Sequence, residues 1–111
     1  MGSHIYRIDN PGRMETFDTI GYSAVGTGEI HAISTFIAND YSFSLDLNHV
    51  VALTYEAKRR SEKAPGVGEK TNLVVVCKEG VRELPDAKIA ALDKIYKARA
   101  QKEKDAVKEI E

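Results

Sequence analysis

Tryptophan is absent from the 111 residues and cysteine occurs once. A lone Cys77 excludes an internal disulfide, so a reducing, cytoplasmic compartment is the expectation. Long apolar runs are missing as well. The longest, Leu73 to Cys77, is far too short to span a bilayer. No charged-then-apolar leader precedes the first strand-like segment, so nothing argues for secretion or a membrane. Neither charge sign dominates: 16 basic and 17 acidic residues leave a net charge of -1. That balance gives no global attraction to nucleic acid or to an anionic surface.

What is present is an ordinary folded composition. Apolar residues make up 42% of the chain, enough for one modest core and at most one domain of this length. There is no internal repeat and no low-complexity segment.

His4 to Ile8 alternates, Ile5 aside, and ends in Asp9-Asn10-Pro11-Gly12, a strong turn signal. A second strand is expected to begin within residues 13–18. Ile20, Tyr22 and Ala24 then share one strand face, opposite the small Gly21 and Ser23 and Val25. From Glu29 to Asn39, Ile30, Ile33 and Ile37 stand at helical spacing with Phe36 beside them. Ser44 is the expected N-cap of a second helix, with Asp46 in its first turn and Leu47, Val50, Val51 and Thr54 as its buried stripe. Lys58, Arg59 and Arg60 suit its C-terminus, and Pro65-Gly66 stops it.

Thr71 to Cys77 reads as a central strand covered on both sides. Lys78-Glu79-Gly80 turns it into Val81 to Leu84 as a hairpin. Pro85-Asp86 opens a long helix, with Ile89, Leu92, Ile95 and Tyr96 forming an apolar stripe for two turns. The fold class is α+β, with about four strands in one mainly antiparallel sheet and about three helices.

Chemistry-bearing patterns are few. Gly26-Thr27-Gly28, between a strand-like and a helix-like run, places glycines where a helix N-terminus offers free N–H groups. A dinucleotide fingerprint needs a third glycine at position 31, where His31 stands, so tight-turn geometry is the better account. Gly66-Val67-Gly68-Glu69-Lys70-Thr71 fails as a phosphate loop: Ala64 and Glu69 occupy the glycine positions, and a valine run follows instead of a helix. His4, His31 and His49 lack partners at metal-ligand spacing, so no metal and no cofactor is expected. Cys77 reads as a structural, buried strand thiol. The basic Lys58-Arg59-Arg60, with Lys63, reads as dipole compensation, since no aromatic interleaves it.

Taken in order, these segments resemble the second half of a proteasome-type subunit of the N-terminal-nucleophile hydrolases. The resemblance covers residues 4–84. It rests on the Gly-x-Gly turn before a helix, the Ser-capped second helix, and the Val-Gly loop leading into a buried strand. Residues 85–111 form a C-terminal helix that the resemblance specifies poorly. Residues 1–3 are set apart as tag or linker residue, although Gly2 or Ser3 onward also reads as native, in which case the chain is cut from something longer.

The resemblance implies half of a four-layer αββα sandwich in a ring-forming threonine peptidase. The family's nucleophile is an N-terminal threonine carried by the first half, which these residues do not match, so no catalytic residue is expected in this chain. Gly26, Thr27 and Gly28 match the loop beside that nucleophile, where Thr27 keeps the hydroxyl of a frequent serine. Gly66 and Gly68 match a second supporting loop, in which Ala64 and Val67 replace the family's polar residues. A homo-oligomer, or the missing N-terminal half, is the implied partner, and a peptide is the implied substrate of the parent. The other reading is a non-catalytic, self-associating α+β module. A third is an anion binder at Gly26 to Gly28.

Overall fold

The computed structural model describes residues 4–9, 12–42 and 45–110. It is α+β, with strands β1 (Tyr6–Asp9), β2 (Arg13–Thr16), β3 (Val74–Cys77) and β4 (Gly80–Glu83), and helices α1 (Glu29–Ala38), α2 (Leu47–Ser61) and α3 (Asp86–Lys108). The expected single sheet is not formed. Among the described residues β1 pairs with β2 and β3 with β4, giving two two-stranded antiparallel sheets. Contacts divide the chain into two units, residues 1–68 and 69–111.

In the first unit, Tyr6 opposes Thr16 and Ile8 opposes Met14 across the β1–β2 ladder. Those four side chains share one face, and Tyr6, Ile8 and Met14 are exposed on it. Arg7 lies on the opposite face. Its guanidinium donates to the Ala24 carbonyl at 3.2 Å and pairs with Glu29 at 2.8 Å. The hairpin is thus anchored by its polar side, the reverse of a hydrophobic-in arrangement. Of the expected Asn10-Pro11-Gly12 turn only Gly12 is described. Its φ of +123° is a conformation that suits glycine.

The expected strand through Ile20, Tyr22 and Ala24 is replaced by a turn. Phe17 N–H donates to the Ile5 carbonyl, Gly21 N–H donates to the Phe17 carbonyl, and Gly21 takes φ +86°. This reversal leaves Ile20 exposed and directs Tyr22 onto the helices. Tyr22 stacks on Phe36 at 4.8 Å and meets Tyr41 edge-on at 5.3 Å. The aromatic contacts win over β propensity because they join the core of Phe36, Leu53 and Ala57.

α1 and α2 pack on each other, but with different faces from those the apolar spacing suggested. Ile30 is 73% and Ile37 61% exposed, while Phe36 and Thr35 are buried. Leu47 is likewise exposed, and α2 buries Leu53, Tyr55, Glu56, Ala57 and Ser61. The buried carboxylate of Glu56 accepts from Asn39 Nδ2 at 3.1 Å and lies 3.8 Å from Arg60. The same Asn39 amide donates to the Thr35 carbonyl, closing the end of α1. That buried polar link fixes the face α2 presents, since leaving Glu56 unmatched would cost more than exposing one isoleucine.

The cap of α2 also differs. Ser44 lies outside the described residues, and Asp46 is the N-cap, accepting from the His49 N–H at 2.8 Å.

In the second unit, Val76 opposes Val81 and Val74 opposes Glu83. β3 is not the covered central strand that its apolar run suggested: Val74 and Val76 are exposed. The valines satisfy strand propensity, but burial needs a neighbouring layer. The Leu84 N–H donates to the Leu73 carbonyl, extending the pairing past β4. α3 begins after Pro85, whose φ is preset near the helical value, and buries no residue along its length. Among the described residues no helix is long and apolar enough to cross a membrane.

Candidate functional site

The two glycine loops singled out in the sequence meet in the first unit. Gly28 is the N-cap of α1 and is buried, with no side-chain cap. A Cβ at that position would lie 2.8 Å from Ser61 Cβ, 3.0 Å from the Ser61 carbonyl oxygen and 3.2 Å from Val67 Cγ2. Only a glycine lets the start of α1 approach the end of α2 this closely. Beside it, the Thr27 hydroxyl donates to the Pro65 carbonyl at 3.3 Å. That distance is long for an O–H···O bond, so the link is weak.

Residues 62–68 continue from the last turn of α2 through successive turn bonds. The Ala64 N–H donates to the Ser61 carbonyl, and the Val67 N–H to the Ala64 carbonyl. Ala64 is buried. The apolar Ala64 and Val67 serve packing: Ala64 is buried after the end of α2, and Val67 lies over Gly28. Lys58 holds the far end: its ammonium donates to the Gly68 carbonyl and to the Glu62 carboxylate, both at 2.8 Å.

The glycines have different reasons to be glycine. Gly26 has φ +109° and Gly66 φ +86°, both in the left-handed range that side chains avoid. Gly28 is required by space. Gly68 is required by neither, and its carbonyl is what takes part. Lys58 is the tether that motif reading does not reveal, because its spacing to Gly68 has no signature.

The basic run Lys58-Arg59-Arg60 is partly compensated by local carboxylates. Lys58 and Arg59 pair with Glu62, and Arg60 approaches Glu56. Among the described residues no three His, Cys, Asp or Glu side chains gather to hold a metal ion.

At the other histidine of interest, His4 Nδ1 donates to Asp18 Oδ2 at 2.7 Å, and the Ile5 N–H donates to Asp18 Oδ1 at 2.7 Å. The His4 hydrogen bond, then that of Ile5, holds the Asp18 carboxyl below its ordinary value.

In the second unit Cys77 is exposed, correcting its expected burial. As the last residue of an uncovered two-stranded ribbon, it has no layer above it. Its Sγ donates to the Gly80 carbonyl at 3.5 Å. A Cys77 hydrogen bond, with a contribution from the Glu79 backbone, lowers the Glu79 carboxyl from its ordinary value. An open depression here is lined by Cys77, Glu79, Gly80, Val81 and Arg82, all from the hairpin turn itself.

The geometry is a junction of two loops at a helix start, with the Thr27 and Ser61 hydroxyls beside it. Comparison with family models, curated proteins and solved structures gives no match to this chain.

Proposed function

We propose that this chain is the supporting, C-terminal part of a proteasome-like threonine peptidase subunit of the N-terminal-nucleophile hydrolases. One observation carries the reading. Gly26-Thr27-Gly28 and Gly66-Val67-Gly68, which resemble two supporting loops of that family, meet where Gly28 faces Val67 and Thr27 reaches Pro65. In the intact subunit this junction would flank the nucleophile carried by the first half. Under this proposal the nucleophile is carried by the first half of the subunit, and the 111-residue chain alone is expected to be catalytically silent. A cytoplasmic location fits the single free thiol.

Fluorogenic peptides and an electrophilic peptide that captures N-terminal nucleophiles test the proposal. The purified 111-residue chain should neither hydrolyse the first nor be labelled by the second. The native polypeptide that contains it should do both. Hydrolysis by the 111-residue chain itself would contradict the assignment.

A second reading, a non-catalytic self-associating module, is favoured by the outward Tyr6, Ile8 and Met14 and by the outward Val74, Val76 and Val81. Both hairpins present an apolar face and open backbone edges, features that invite association. In the first reading the missing half, or a second copy in a ring, covers them. A chain that stays monomeric and well folded at high concentration would count against both forms of association.

A further inference from the structure

We infer that residues 62–68 form a strap over the first turn of α1, held shut by Lys58, and that its release uncovers Gly28 and frees the exposed Thr27 hydroxyl from Pro65. The inference stands on geometry within residues 26–68 and does not depend on the peptidase reading.

The strap is fastened unevenly. Most of its own turn bonds are long: Glu62 N–H to Arg59 O, Lys63 N–H to Arg60 O and Val67 N–H to Ala64 O are each 3.3 Å, with Ala64 N–H to Ser61 O at 3.0 Å. The Thr27 hydroxyl reaches Pro65 at the same 3.3 Å. Against these stands a charged donor at 2.8 Å on the Gly68 carbonyl, held in place by Glu62 at 2.8 Å. Charge-assisted bonds are roughly twice as strong as neutral ones, so Lys58 is the dominant fastening.

Burial comes from the Glu62 side chain, Ala64 and the Val67 methyl over Gly28, whereas Lys63, Pro65, Gly66 and Gly68 are exposed. A segment with few buried contacts and one strong tether opens locally before the core does. When it opens, Gly28 loses the Val67 side of its cover, and Thr27 loses its acceptor.

Trypsin reads the strap directly. Lys63 lies within it and Lys70 just beyond it, both exposed, yet cleavage requires the chain around the site to be drawn out of its turns. Limited proteolysis of wild type, Lys58→Met and Lys58→Arg should show cleavage after Lys63 about tenfold faster in the methionine variant, and an intermediate rate in arginine. Amide exchange at Leu53 and Ala57 should stay slow, showing an intact core.

In the unmutated chain, the Ala64 and Val67 amides should exchange faster than those of Leu53 and Ala57. Equal cleavage rates in wild type and Lys58→Met with an intact core would overturn the inference. So would Ala64 and Val67 amides that exchange only together with Leu53, which keeps the test decisive even if the methionine variant fails to fold.

Discussion

Gly28 and Gly68 lie at opposite ends of the same junction, and an alanine separates their roles. Gly28→Ala forces Cβ against Ser61 and Val67, and should cost about 1–3 kcal/mol of stability, as overpacking does. Gly68→Ala meets no neighbouring atom and should stay within about 0.5 kcal/mol. Urea unfolding of the two variants checks the pair, and equal losses would contradict the account.

Asp18 supplies a pH-dependent prediction. Its carboxyl is depressed by His4 and by the Ile5 N–H, so the unfolded chain holds its proton more tightly. The stabilising contribution is present above the ordinary carboxyl value of 3.8 and disappears as pH falls through the lower folded value. His4→Ala should raise the Asp18 titration midpoint toward the ordinary value, as followed by the carboxyl carbon resonance. An unmoved midpoint would remove His4 as the cause.

The glycines were legible because left-handed turns and close approaches leave few alternatives. Lys58 was not, since a lysine bonding a carbonyl ten residues away has no sequence mark.

At the scale of elements, the three helices and the β3–β4 hairpin were readable from turn signals and spacing. The faces were not. Ile30, Ile33 and Ile37 make a convincing stripe, yet α1 turns Phe36 and Thr35 inward because Asn39 and Glu56 join the two helices on that side. Hydrophobic spacing reports where apolar side chains lie on a helix, not which competing polar link fixes its rotation.

Mutations separate the two faces. Phe36→Ala, which empties a site packed by Tyr22 and Tyr41, should cost about 3–5 kcal/mol. Ile37→Lys, on the exposed side, should change stability by no more than about 0.5 kcal/mol. Thermal melts of both variants test the assignment. A large loss in Ile37→Lys for the monomer would place that face in a core.

For the whole molecule, the decisive contrast is between the units taken singly. Residues 1–68 contain a core of Phe36, Leu53 and Ala57. In residues 69–111 no described residue is buried. A chain of about forty residues without a core does not offset its ordering entropy. A peptide of residues 69–111 should therefore lack cooperative thermal unfolding by circular dichroism. A sharp transition in that peptide would show a self-sufficient unit.

The apolar run from Leu73 promised a covered strand, but coverage belongs to whatever lies against the strand, which a single sequence does not carry. Under the peptidase reading, that cover comes from the first half of the subunit or from a ring neighbour.

The most direct measurement is the intact mass and N-terminal sequence of the native polypeptide from its source cells. The account predicts a longer product that begins with a processed threonine and contains these residues as its second half. A native product that begins at Met1 would contradict it, and the association-module reading would take its place.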